Sequence, residues 1–245
     1  MQIPSKKNII LSIIAIIALL ELVIMLVFAN LSLDIGIFAE AILDVIILVT
    51  FSTPLIYLWI IKPYVIARDE ALHQVRHMAY HDSLTQLANR RLLTEYLGKL
   101  ISLSVRDKFY GALLFIDLDG FKKINDSNGH DVGDKILIEV AARLTSLTRN
   151  EDIVSRVGGD EFVVVLSETG KDEVKANKEA MRISDRILKE LTKEISINDT
   201  PHKVGASIGL RLLTPEKISP DVLLNEADLA MYRAKEAGKN RIVVW

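Results

Sequence analysis

Gly158-Gly159-Asp160-Glu161-Phe162 lies between two β-forming runs, Ile153-Val154 with Val157 before it and Phe162-Val163-Val164-Val165-Leu166 after it. Two such runs joined by a Gly-Gly step predict a β-hairpin, because glycine tolerates the positive φ that tight hairpin turns require. A tip without side chains, followed at once by two carboxylates, suits close approach of a phosphate chain with its metal ions. The same pentapeptide is compatible with an ordinary turn bearing solvated acids, so its meaning depends on its surroundings.

Upstream, Phe115-Ile116-Asp117-Leu118-Asp119 ends a buried-strand pattern at 111–118 in two acids. Alternation along a strand sends Asp117 and Asp119 to one face. With that strand beside the hairpin, Asp117 and Asp160 converge, and hard oxygen donors on strand ends are what Mg²⁺ prefers. A pair of such ions activates an attacking oxygen and neutralises a leaving phosphate. Lys122 follows within reach of a phosphate chain, and Asn125, His130 and Asp134 line the next turn and helix start. An amide beside a carboxylate suits a purine edge, which offers both donors and acceptors. Taken singly, each of these is also an ordinary cap or solvated polar residue, and Asn125-Asp126 reads as a turn.

The flanking patterns extend this region into one domain over 82–245. Helical periodicity is expected after Asn89 to about residue 103, and at 132–147, 174–191 and 220–237; strands are expected at 204–213 and 242–244. Strands alternating with helices around a central hairpin predict an α/β (α+β) sandwich with helices against a mixed sheet.

The 245-residue chain is 50% hydrophobic with a formal net charge of -2, and it has no cysteine. Disulfides, thiolate metal sites and cysteine nucleophiles are therefore excluded. No basic excess points to a nucleic-acid partner. The mean hydropathy of +0.27 comes largely from two aliphatic runs, 9–29 and 37–61, each long enough to cross a bilayer as a helix. They define a transmembrane hairpin over 1–61. A signal peptide ending at Val27-Phe28-Ala29 is the competing reading of the first run, against which its length argues. Lys6 and Lys7 precede the first run, Lys62 and Arg68 follow the second, and the segment 30–36 between them has no Lys or Arg. Both ends are thus expected in the cytoplasm. Glu21, Glu40 and Asp44 fall inside these runs, where ionisable groups are costly and face protein or a polar cavity. Glu21 and Asp44 are expected at similar depth, paired either for sensing or for a structural interhelical hydrogen bond. A linker helix over 62–81 carries Val65, Leu72, Val75 and Ala79 near a coiled-coil spacing that Arg68 and Asp82 interrupt.

The run from Asp117 to Asp126, then Gly129-His130, Gly133-Asp134 and Gly158 to Phe162, resembles a GGDEF-domain diguanylate cyclase. So do Asp82-Ser83-Leu84-Thr85, Asn89-Arg90-Arg91, Ala227 to Tyr232, Ala234-Lys235 and Gly238 to Arg241. The resemblance implies a fold like the palm of polymerases and nucleotidyl cyclases, and condensation of two GTP into cyclic di-GMP with release of two pyrophosphates. It implies two Mg²⁺ per site, with Mn²⁺ also acceptable, held by Asp117, the Leu118 carbonyl and Asp160 with support from Glu161. Asp160 would assist deprotonation of the attacking 3′-hydroxyl, while Lys122, Lys235 and Lys239 would hold or stabilise the phosphates. Asn125 and Asp134 would read guanine with His130 nearby, and Gly158-Gly159 would let the backbone approach the nucleotide. Arg149-Asn150-Glu151-Asp152 stands at the spacing of the family's RxxD product-inhibition site. The implied setting is a homodimer at a bacterial inner membrane. Gln86 departs from the family's usual glycine after Leu-Thr. A non-catalytic receptor for GTP or cyclic di-GMP is the alternative, which would have no need of Asp117, Asp160, Glu161 and Lys122.

Overall fold

The computed structural model describes residues 6–30 and 37–245, which fall into two compact units, Met1–His77 and Met78–Trp245. In the first unit, α1 (Lys6–Asn30) and α2 (Ile37–Ile56) are followed by a π-helical turn (Tyr57–Ile61) and by α3 (Lys62–Tyr80), whose last three residues fall in the second unit. Two helices in this region are long and apolar enough to cross a membrane. Residues 31–36, the expected connection between the spans, lie outside the described residues.

The second expected span is continuous but not uniformly α-helical. Pro54 stands inside α2, and proline has no N–H to donate and crowds the preceding turn. The π-helical turn follows directly, with the Lys62 N–H bonding to the Tyr57 carbonyl. Ile24 and Ser52 are buried. Asp44, half-buried, and Glu40 line a groove with Met25, Phe28, Ala29 and Ile37. Glu21 is exposed and does not line that groove. On α3, Val65, Leu72 and Val75 are exposed.

The second unit is built on a five-stranded sheet in the order β2-β3-β1-β6-β7. Its elements are α4 (Arg90–Asp107), β1 (Tyr110–Asp119), α5 (Phe121–Asn128), α6 (His130–Leu147), β2 (Ile153–Arg156), β3 (Glu161–Gly170) and α7 (Glu173–Leu191). Then come a small hairpin, β4 (Ile195–Ile197) with β5 (Thr200–His202), and finally β6 (Gly205–Leu213), α8 (Pro220–Glu236) and β7 (Arg241–Val244). All pairings in the main sheet are antiparallel except β6 with β7.

Strand alternation divides the core. Ala112, Leu114, Ile116 and Leu118 of β1 join Phe162, Val164 and residues of α6 and α7 such as Ile136, Leu144 and Ile187. Leu113 and Phe115 join Val163, Val165 and the α4 and α8 residues Leu93, Leu97, Leu223 and Met231. β1 is therefore buried on both faces, as a central strand between two helical layers, and each fully buried aliphatic side chain contributes about 1.5–3 kcal/mol. Asn89 caps α4 by accepting from the Arg91 and Leu92 N–H groups.

Two local expectations are corrected. Asn125 and Asp126 are helical, not a turn: α5 starts after Gly120, at φ 80, and buries Phe121 in the core. The hairpin of 195–202, made of two three-residue strands, has runs too short for a periodic signal and is not among the elements expected from the pattern.

Candidate active site

The sheet brings the acids together at the end of β1. Asp117 is register partner to Glu161, and the Leu118 N–H donates to the Asp160 carbonyl at 3.2 Å. Asp117 is only 6% exposed, and its Oδ2 lies 2.6 Å from Nζ of Lys235, in the last turn of α8. Burial raises the Asp117 carboxyl above its ordinary pKa, the Asp160 and Asp119 charges push the same way, and Lys235 opposes them. Burial also raises Glu161, joined by the charges of Asp117, Asp228 and Asp160. Asp228 on α8 enters the sequence analysis only within the run Ala227 to Tyr232, with no role at this corner, since nothing local ties it to the hairpin.

The Gly158–Gly159 turn has a different rationale from the expected one. Neither glycine has a positive φ. A Cβ on Gly158 would instead lie 2.6 Å from Oε2 of Glu161, so the missing side chain is what lets Glu161 fold back over the turn. Gly159 has open space where its side chain would be. Behind the turn, Arg156 donates to the Gly159 carbonyl from Nε at 3.1 Å and Nη2 at 2.8 Å. Its Nη1 meets Oδ1 of Asp82 at 3.0 Å. Asp82 also accepts from the Thr85 N–H and hydroxyl. Burial alone would raise the Asp82 pKa, but the Thr85 and Arg156 hydrogen bonds outweigh it and hold the carboxyl below its ordinary value. This Asp82-Arg156 brace was not foreseen; 74 residues separate the partners.

Gln86, the departure from the family pattern, has φ 60. The position is left-handed, which accounts for a preference for glycine and costs another residue roughly 1 kcal/mol. Gln86 Nε2 donates to the Ser83 carbonyl at 2.7 Å, a local compensation.

Lys122 is exposed at the start of α5. Asn125 sits later in α5 with Oδ1 buried and unpartnered. A Cβ on Gly133 of α6 would lie 1.8 Å from that oxygen, so the glycine makes the space Asn125 occupies. His130 and Asp134 are exposed in the first turns of α6. A buried amide oxygen without a partner costs about 1–3 kcal/mol, and a ligand donor would relieve it. Lys239 follows α8 with φ 66.

The RxxD pair lies elsewhere, between α6 and β2. Asp152 accepts from the Arg149 N–H and the Ser167 N–H, both at 2.9 Å. The Arg149 side chain is exposed, with Nη1 3.9 Å from Glu151. Both residues line a cleft of about 350 Å³ with Thr145, Thr148, His81 and Gln86. Arg186 of α7, not anticipated, reaches the Leu147 carbonyl at 2.5 Å, and its charge and that of Arg149 both reach Glu179.

The acid corner fits a hard divalent cation. Its donors are carboxylate and carbonyl oxygens, its acids repel one another, and the Lys235 ammonium already partners Asp117. Among the described residues no three acidic or histidine side chains form a complete cage. Substrate phosphates and water would complete the shell, as is usual for Mg²⁺.

A family model described as diguanylate cyclase, GGDEF domain, matches residues 79–241. The bifunctional diguanylate cyclase/cyclic di-GMP phosphodiesterase MucR of Pseudomonas aeruginosa is 38% identical over 170 residues, covering 69% of this chain and 24% of MucR. The chain thus spans about a quarter of that relative's length. The solved GGDEF domain of TpbB (YfiN) from Pseudomonas aeruginosa has a TM-score of 0.63 at 35% identity, covering 67% of this chain and 94% of that one. The coiled coil and GGDEF domain of DgcB from Caulobacter crescentus, solved in complex with c-di-GMP, has a TM-score of 0.66 at 26% identity, covering 75% and 95%. The model match takes in more than half of the chain, including the acid corner, the Gly-Gly turn and the RxxD pair, and the chain belongs to the GGDEF domain family.

Proposed function

We propose that the chain is a membrane-anchored diguanylate cyclase that condenses two GTP into cyclic di-GMP. The observation that carries this reading is the acid corner: Asp117, Asp160 and Glu161 crowded beneath a turn that Glu161 itself packs against, with Lys235 the partnering cation. Mg²⁺ held by Asp117, the Leu118 carbonyl and Asp160 would supply charge neutralisation for the triphosphate and acidify the attacking hydroxyl. Asp160 takes up the 3′-hydroxyl proton, and Glu161 keeps the negative field of the corner high. Lys122, Lys235 and Lys239 bind the phosphates and meet the charge that builds on the leaving pyrophosphate. Asn125 offers its buried oxygen to the guanine N–H donors, with Asp134 and His130 alongside.

One such corner holds one GTP, so the two nucleotides of the product require two chains face to face. The α1–α2 hairpin crosses the inner membrane with its ends and the 82–245 domain on the cytoplasmic side, and the exposed Val65, Leu72 and Val75 of the 62–81 linker pair the chains. Product returns to the Arg149–Asp152 cleft: Arg149, exposed and weakly paired, grips phosphate or guanine, while Asp152 holds the turn and faces the base. The DgcB structure in complex with c-di-GMP supports product binding by this fold.

The test is purified full-length chain with GTP and Mg²⁺, assayed for cyclic di-GMP and pyrophosphate beside Asp160→Ala. Product lost in the variant is expected. A dimeric, GTP-binding sample that makes no product would replace the cyclase with a nucleotide receptor.

A further inference from the structure

We propose that Asp119, the second acid at the end of β1, is a positioning residue that clamps the Gly238–Asn240 turn and so places Lys239 at the phosphate end of the site, rather than a metal ligand. The inference rests on the reading that Lys239 holds phosphate. Asp117 and Asp119 leave the strand on the same face, yet their partners differ. Asp117 takes the Lys235 ammonium at 2.6 Å. Asp119 has both oxygens engaged by neutral donors. The Ser207 hydroxyl donates to Oδ1 at 2.9 Å and Oδ2 at 3.1 Å, and the Asn240 N–H donates to Oδ2 at 2.9 Å. Ser207 is itself fully buried.

The turn needs such an anchor. Gly238, Lys239 and Asn240 follow one another at φ 111, 66 and 47, and two of these are side-chain-bearing residues in the left-handed region. That conformation persists only where its surroundings over-determine it. Within the turn, the Lys239 N–H reaches the Ala234 carbonyl and Arg241 Nε reaches the Lys239 carbonyl. Asp119 ties the turn to the sheet. Gly205, opposite Asp119 in register, leaves the necessary room: a Cβ there would lie 3.1 Å from the Asp119 Cβ and 3.2 Å from its Oδ2. The two acids of one strand end thereby divide the work, one restraining the Lys235 side chain and the other the backbone beneath Lys239.

The full chain in lipid nanodiscs is compared with Asp119→Ala, Asp119→Asn, Gly205→Ala and Lys239→Ala. Amide hydrogen exchange over residues 238–241 reads the clamp without nucleotide. Steady-state rates against GTP and against Mg²⁺ read its consequence. Asp119→Ala is expected to accelerate exchange at Asn240 and raise KM for GTP roughly tenfold, with a smaller change in kcat. Asp119→Asn, which keeps one acceptor, should recover part of both, and Gly205→Ala should reproduce the exchange effect with the carboxylate intact. Asp119→Ala added to Lys239→Ala should raise KM little further. Unchanged exchange at Asn240 overturns the clamp. A collapse of kcat in Asp119→Asn with a raised Mg²⁺ requirement makes Asp119 a metal ligand and overturns it too. If Lys239→Ala alone leaves KM unchanged, the phosphate role of Lys239 and the placement built on it fail together, whatever the cyclase assay shows.

Discussion

Asp117 and Glu161, at the acid corner, hold their protons more tightly than free carboxylic acids do, whereas Asp82, behind the Gly158–Gly159 turn, releases its proton more readily. Burial raises all three. What differs is the company: Asp117 and Glu161 face one another and Asp160, with Lys235 the opposing cation, while Asp82 collects Thr85 and Arg156. The same short turn therefore joins a frustrated cluster to a satisfied one. The satisfied side can bear load for the fold, and the frustrated side retains attraction for a cation that the fold itself does not neutralise.

The comparison breaks most sharply at Asp160. Asp160→Asn should lower cyclic di-GMP formation by about three orders of magnitude, with no loss in thermal midpoint, since it removes a repulsive charge. A parallel fall in stability would mean the corner is structural. Next, Arg156→Ala strips the brace and leaves Asp82 and the Gly159 carbonyl without it. We expect about 2 kcal/mol of destabilisation from urea midpoints, with activity falling because the turn loosens. Gly133→Ala puts a methyl where Asn125 Oδ1 sits and should raise KM for GTP roughly tenfold or more while the fold stays intact, measured by initial rates beside circular dichroism.

Stability against pH sharpens the contrast, because the two sides have opposite signs. Asp117 and Glu161, raised above ordinary values of 3.8 and 4.5, contribute fully below those values, and that contribution is lost as pH rises through their folded pKa values. Asp82, lowered from 3.8, contributes above that value and loses its contribution as pH falls through its folded pKa. Glu161→Gln should therefore flatten the loss on the rising side, and Asp82→Asn should remove the loss on the acid side, both read from urea midpoints between pH 3 and 8. The smallest effect is expected at Gln86→Gly. Relief of the left-handed backbone is offset by glycine's unfolded-state entropy and the lost bond to Ser83, leaving a net change within about 1 kcal/mol.

What the chain discloses in one dimension follows the same division. The buried strand 111–118 and the helices at 132–147 and 174–191 declare themselves because apolar residues recur at the period of the element that buries them. Asp117 and Asp160 stand out because acids at the ends of apolar runs are costly unless used. The Asp82-Arg156 brace and the Asp228 contribution are invisible there, since their meaning comes from strand order and helix placement, not from neighbours in sequence. Residues 121–128 mislead in another way: Asn125-Asp126 favours a turn locally, but burial of Phe121 rewards a helix. The Gly-Gly pair was legible as a turn, though its reason is the volume of Glu161 rather than backbone handedness.

The π-helical turn at Tyr57–Ile61 gives the helix an angular offset. The Lys62 N–H spans five residues to Tyr57 instead of four. One surplus residue in a turn shifts the bearing of everything beyond it by about 100° relative to an uninterrupted α-helix. Val65, Leu72 and Val75 thus point along a compass direction set by this insertion as much as by their own spacing. Deleting one residue between 57 and 61 would restore ordinary winding and rotate that stripe by about 100° while leaving its composition unchanged.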